Sequence, residues 1–161
     1  MEGTATTSLG QPRLVDGKAL VIVGLRRSYT TETAKDISQQ WERFGPYIGK
    51  ISGQIGNIAY GVCFPPDSDR GFDYLSGVEV SHSFGHPEDF SSVNLPAQKY
   101  AVFTHREHVS KLGEIFDAIF KDWFPKSGYE PANAPCLERY GEKFDPRTGM
   151  GDVEVWVPVK A

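Results

Sequence analysis

One order of elements, strand, helix, strand, strand, occurs twice in this chain of 161 residues and constrains its fold more than any other feature. Apolar and β-branched runs predict the strands, and apolar residues at steps of three and four predict the helices. In the first copy these segments are residues 19–27, 33–44, 57–64 and 72–80. In the second copy, which follows a loop at 81–96, they are residues 99–107, 112–124, 135–140 and 152–159.

Residue identities also indicate an internal repeat. Tyr60 and Glu138 are 78 residues apart, and the tripeptide Val-Glu-Val occurs at 78–80 and again at 153–155. Two copies of a unit that cannot bury its sheet alone are expected to pack side by side. The predicted fold class is α+β, with two pseudo-symmetric strand-helix-strand-strand modules that form antiparallel sheet. They carry two main helices and leave a ligand cleft between the modules.

The N-terminal residues differ in composition from the rest of the chain. Residues 1–17 are rich in Thr, Ser, Gly and Pro without periodicity, which predicts a flexible tail. Residues 18–161 are then expected to form a single domain, with modules at about 18–80 and 97–160.

Charge and hydropathy limit the possible partners. Seventeen Lys and Arg against 21 Asp and Glu give a net charge of −4, so we expect no direct nucleic-acid partner, which would need a basic face. The longest apolar stretch, residues 19–25, is far too short to span a bilayer, and no secretory leader is evident. These features predict a cytoplasmic protein with no membrane partner.

Metal, cofactor and redox signals are weak. Cys63 and Cys136 form no Cys-x-x-Cys pair and are expected to be reduced and buried. The His, Glu and Asp residues of segment 82–89 lie in a Gly/Pro-containing loop, which favours a polar surface loop over a metal site. No phosphate-binding loop is present, so we expect neither a metal nor another cofactor.

Alternation along the last two strands indicates a candidate site. Glu138 and Tyr140 share one strand face, as do Glu154 and Trp156 on the next strand. If the Glu138 and Trp156 faces line the groove, a carboxylate lies in an aromatic box, which suits a hydrophobic cation. The alternative is that both glutamates are ordinary solvent-facing strand residues.

Five stretches in order cover most of residues 18–160. They are YGVCF at 60–64, FDYLSGVEV at 72–80, the segment 95–130, LERY at 137–140, and DVEVWVPVK at 152–160. Together they resemble the GyrI-like small-molecule-binding domain, the effector-binding domain of AraC-type and BmrR-type bacterial transcription regulators. No single motif is sharp, whereas their order and spacing are specific together.

The resemblance implies a cleft in which an acidic residue on the strand before the last meets cationic, lipophilic compounds. Glu138 in LERY is the matching position. The implied ligand-binding residues beside it are all aromatic: Trp156, Tyr60, Tyr74, Trp41, Tyr140, Phe103 and Trp123. Helix packing explains Phe103 and Trp123 equally well, and core packing also explains Trp41.

The regulators of the family carry a DNA-binding portion ahead of this domain. The predicted tail is too short to hold one, so we expect a stand-alone member.

The sequence leaves three functions open. The first hypothesis is a protein that senses or sequesters hydrophobic cations. The second is a hydrolase that uses Glu138 as its general acid or base, with Tyr60 or Tyr140 as hydrogen-bond partner. The third is an interaction protein that modulates gyrase.

Overall fold

The strands of both modules lie in one antiparallel sheet. The computed structural model describes residues 11–30, 32–33, 36–64, 71–82, 85, 87–105, 112–141, 151 and 153–160. Its strands are β1 (Arg13–Gly17), β2 (Leu20–Tyr29), β3 (Gln54–Cys63), β4 (Phe72–Val80), β5 (Ser91–Leu95), β6 (Gln98–His105), β7 (Cys136–Tyr140) and β8 (Val153–Pro158).

The order of the strands shows how the two modules join. It is β1-β6-β8-β7-β3-β4-β2-β5, so each module contributes three adjacent strands, and the pairing of β7 with β3 connects them at the centre. All neighbouring strands are antiparallel. The predicted α+β class with an antiparallel sheet and two main helices is confirmed.

The two outermost strands are exchanged between the modules. β1 precedes the first module but pairs with β6 of the second, and β5 precedes the second but pairs with β2 of the first. The predicted tail is therefore wrong for Arg13–Gly17, and the predicted loop is wrong for Ser91–Leu95. Both segments are short and carry few apolar residues, so their strand structure depends on a distant partner that local periodicity cannot show.

The helices occupy one face of the sheet. α1 (Ile37–Phe44) is followed by a 3₁₀ turn, Gly45–Tyr47, and α2 (Leu112–Ala118) continues through a π-helical turn, Ile119–Trp123, into α3 (Phe124–Ser127). None of the helices in the described ranges has the length and apolar character needed to cross a bilayer.

The second helical segment passes Pro125 and ends at Ser127, three residues beyond the predicted end at residue 124. Within a regular α-helix, its ring would clash with the carbonyl of Lys121. The wider π-helical turn directly before it accommodates the ring, so the helix continues to Ser127. Gly128, with φ of 82°, then ends it in the left-handed conformation.

The two faces of the sheet have separate apolar clusters. The helix face is the one on which side chains of the helices, including Ile115 and Ile119, pack against Val153, Val155 and Val157. The open face, away from the helices, carries Tyr60, Val62, Leu75, Tyr100, Leu137 and their neighbours.

A buried amide attaches α1 to the sheet. Gln40 is 2% exposed, and its Nε2 donates to the Leu25 carbonyl at 2.8 Å and to Ser76 Oγ at 3.0 Å. Its Oε1 accepts a hydrogen bond from the Tyr29 hydroxyl at 2.6 Å. One side chain therefore satisfies buried polar groups of both β2 and β4.

Gln40→Leu is expected to lower the free energy of unfolding by about 2–4 kcal/mol, because it leaves several buried polar groups without partners. Urea denaturation followed by circular dichroism measures the change. Gln39→Leu is the matched control, since Gln39 is the exposed neighbour on the same helix. Equal stability of the two variants would contradict this role for Gln40.

Candidate functional site

A buried glutamate lies near the seam between the two modules. Glu138 of β7 is directly opposite Gly61 of β3 and is only 6% exposed. The residue opposite Glu138 must be glycine, because a Cβ at position 61 would lie 2.6 Å from Glu138 Oε1. The same Cβ would lie within 3 Å of the Tyr74 hydroxyl, so Gly61 leaves the room in which Tyr74 and the carboxylate meet.

Hydroxyl groups hold one oxygen of this carboxylate. The hydroxyls of Tyr74 and Tyr140 each donate to Glu138 Oε1 at 2.6 Å. Glu138 Oε2 has a weaker contact, with the Cys63 thiol at 3.8 Å. Trp41 of α1 donates its Nε1 hydrogen to the Tyr74 hydroxyl at 2.9 Å and packs edge-on to the Tyr140 ring, with centroids 5.0 Å apart. We call these five residues the Glu138 cluster.

Burial controls the protonation of the cluster. It raises the pKa of the Glu138 carboxyl, and the hydrogen bonds from Tyr140, Tyr74 and Cys63 only partly oppose that shift. Burial, followed by the charge of Glu138, also places the pKa values of Tyr74, Tyr140 and Cys63 well above their ordinary values. The phenols and the thiol therefore remain protonated donors, and only Glu138 can supply a negative charge near neutral pH.

The structure brings several of the sequence-predicted residues together. Tyr74, Trp41 and Tyr140 all belong to the Glu138 cluster on the helix face. Phe103 and Trp123 lie on the same face but pack on each other, edge to face, with centroids 5.3 Å apart. Phe103 is 2% exposed, as expected for a core residue.

Tyr60 and Trp156 lie on the open face, so the expectation that they share one groove with Glu138 is wrong. Directly opposed residues of antiparallel strands share a face, and Trp156 is opposed to Leu137, while Tyr60 is opposed to Arg139. Leu137 and Arg139 flank Glu138 along β7 and therefore point away from it.

Cys63 and Gly61 adjoin Glu138, although no sequence pattern indicates a place for them in the site. Cys63 is directly opposed to Cys136, and both are free thiols. Only the pairing of β3 with β7 reveals that these positions adjoin Glu138. In the described part of the chain, no group of three or more His, Cys, Asp or Glu residues could hold a metal ion. Residues 83, 84 and 86 of the His-containing loop lie outside the described residues.

Comparison with known sequences identifies relatives over most of the chain. The transcriptional regulator BrlR of Pseudomonas aeruginosa is 32% identical over 149 residues, which are 91% of this chain and 54% of BrlR. The chain thus spans about half of the length of BrlR. A DNA gyrase inhibitor of Erwinia billingiae is 26% identical over 118 residues, 71% of this chain and 70% of that protein.

Solved structures share the fold at low sequence identity. SAV2435 bound to tetraphenylphosphonium has a TM-score of 0.77 at 21% identity, over 94% of this chain and 95% of that one. The EcmrR C-terminal domain has a TM-score of 0.65 at 14% identity, over 93% and 97% of the two chains. The model of the GyrI-like small molecule binding domain matches residues 10–160. The chain therefore belongs to the GyrI-like family of small-molecule-binding domains.

Proposed function

We propose that this chain binds lipophilic, cationic small molecules in the cytoplasm, for sensing or sequestration, and that Glu138 supplies the countercharge. The observation that carries the proposal is the buried carboxylate of Glu138, which lies among aromatic side chains on a small-molecule-binding fold. A charge in such surroundings is poorly solvated, so an organic cation can compensate it better than water does.

The two carboxylate oxygens have different roles in this proposal. Oε1 already accepts two short hydrogen bonds from Tyr74 and Tyr140 and is held in place by them. Oε2 has only the Cys63 thiol at 3.8 Å among the described contacts, so it is the oxygen with the greater capacity for a ligand charge. The Trp41 and Tyr140 rings supply nearby π faces, which attract cations.

The comparisons support this assignment at the level of the fold. SAV2435 is bound to tetraphenylphosphonium, a lipophilic cation, and its chain superposes on most of this one. The carboxylate contact proposed here rests on the Glu138 cluster itself.

A hydrolase is the second candidate, and the raised pKa of Glu138 favours it. A carboxyl with a raised pKa keeps its proton to a higher pH than an ordinary glutamate and can act as a general acid, and Oε2 is the oxygen with capacity for a substrate. Product analysis with strained, electrophilic substrates tests this reaction. Turnover by wild type that Glu138→Gln abolishes would favour the hydrolase, and absence of turnover would leave binding alone.

Glu138→Gln is expected to weaken methyltriphenylphosphonium binding by about tenfold or more, because a desolvated charge contact contributes at least about 1.4 kcal/mol. Binding of triphenylphosphine oxide, a neutral analogue, should change little. Isothermal titration calorimetry measures both affinities.

Glu130→Gln provides the matched control for this substitution. The Glu130 side chain is 72% exposed and lies 3.4 Å from Lys160, so its loss should leave both affinities unchanged. If Glu138→Gln weakens the neutral and the cationic compound equally, Glu138 shapes the site and does not supply a countercharge.

The affinity for methyltriphenylphosphonium is expected to rise with pH. The folded-state pKa of Glu138 is raised, so its carboxyl stays neutral at pH values where an ordinary glutamate is ionised. A bound cation favours the ionised form, and binding therefore releases a proton. Affinity should fall as pH drops through the raised pKa, whereas Glu138→Gln should remove this dependence. A pH-independent wild-type affinity would contradict the proposal.

The ligand-free protein should show the opposite trend in stability. A raised folded-state pKa stabilises the fold at pH values below the pKa of the unfolded chain, and this contribution is lost as pH rises through the folded-state value. Melting temperatures of wild type and Glu138→Gln, measured without ligand across the pH range, separate the pH dependence of stability from that of ligand affinity.

A further inference from the structure

The open face contains a cavity that the Glu138 cluster does not use. Its volume is about 380 Å³, within the range typical of small-molecule sites. Buried side chains of Tyr60, Tyr100 and Leu137 line it, together with Trp156 and Arg139. The segment from β1 to β2 lies along its rim. The sheet separates this cavity from Glu138, whose side chain is on the opposite face.

The cavity presents flat π surfaces. Tyr100 and Trp156 meet edge to face with centroids 5.3 Å apart. The guanidinium carbon of Arg139 lies 5.0 Å from the Trp156 centroid and 5.6 Å from that of Tyr60. Such surfaces favour planar aromatic rings, which can stack on either an indole or a guanidinium plane.

Arg139 carries a positive charge that its neighbours only partly balance. Its Nη1 donates to Glu154 Oε1 at 3.0 Å, while Arg13 Nη2 donates to Glu154 Oε2 at 2.7 Å. Two guanidinium groups therefore share one carboxylate. Arg139 Nε is buried and has no hydrogen-bond acceptor among the described residues. Because Arg139 lines the cavity and its side chain is 24% exposed, its incompletely balanced guanidinium favours an anionic acceptor there.

The acidic residues of the rim do not cancel the preference of Arg139 for an anion. Glu79 pairs with Lys18 at 3.8 Å, which offsets their charges. Asp16 is exposed, so water and salt screen its charge. Burial raises the pKa of the Tyr60 hydroxyl, and the charge of Arg139 and the hydrogen bond that Arg139 donates to Tyr60 only partly oppose that shift. Tyr60 therefore stays protonated, and its own O–H is a second donor to the cavity.

We propose that the open-face cavity is a second binding site, which takes planar aromatic carboxylates. The ring of the ligand stacks among Tyr60, Tyr100 and Trp156, and its carboxylate accepts hydrogen bonds from Arg139. This site differs from the Glu138 cluster in face, in charge and in ligand class, and it does not depend on the proposed function.

Calorimetric titration with 2-naphthoate and with neutral 2-naphthamide tests the second site. Wild type is expected to bind naphthoate at least about tenfold more tightly than naphthamide, since a charge-assisted contact contributes about 1.4 kcal/mol or more. Arg139→Gln should remove this preference. Arg27→Gln, which changes an exposed arginine of β2, should retain it. No naphthoate binding, or an equal affinity in Arg139→Gln, would overturn the proposal.

Two further measurements apply even if Arg139→Gln fails to fold. Val15→Trp adds bulk at the cavity lining without changing the contacts of Arg139 with Glu154, and it should abolish naphthoate binding. In wild type, saturating methyltriphenylphosphonium should leave the naphthoate affinity unchanged. Displacement by the phosphonium would mean that one site takes both compounds and would refute a separate site. Failure of the phosphonium to bind would count against the proposed function alone, because the naphthoate titrations stand without it.

Discussion

The pairing of β3 with β7 is the interaction on which the rest of the structure depends. It joins two three-stranded modules into one sheet, and it sets Gly61 directly opposite Glu138. Only a residue without a side chain at position 61 leaves space for the carboxylate and the Tyr74 hydroxyl to meet. The backbone hydrogen bonds between β3 and β7 therefore join the two halves of the core and also bury the carboxylate of the Glu138 cluster beside its phenol donors.

Much of the architecture follows from local pattern. Strong apolar runs predict six of the strands, and helical spacing predicts both main helices, because these segments bury their own periodic faces. Alternation alone could not distinguish Glu138 from a solvent-facing residue. The resemblance of LERY to the family predicts a cleft position for Glu138, and the structure shows that its side chain is buried. Tyr74 and Trp41 belong to the first module, and they reach Glu138 of the second because β3 pairs with both β4 and β7.

What the sequence could not provide is register. The spacing of 78 residues predicts that Tyr60 and Glu138 are equivalent, yet the two lie on opposite faces of the sheet. A two-fold axis perpendicular to the sheet would keep equivalent residues on one face. A shift of one residue reverses the face of every side chain in a strand, so a spacing wrong by one assigns a residue to the wrong site. For the same reason, alternation does not reveal that the partner of Trp156 on β7 is Leu137, which places Trp156 on the open face.

The exchange of edge strands makes folding depend on segments that are far apart in the chain. Arg13 pairs with Val102, and Leu20 pairs with Leu95, so neither half can complete its sheet from its own residues. During synthesis, β1 has no partner until β6 has left the ribosome. Contacts between such distant segments give a high contact order, which is typical of slow folding. The arrangement resembles a domain-swapped dimer in which two copies exchange their edge strands. Here both copies belong to one polypeptide, so the exchange is intramolecular.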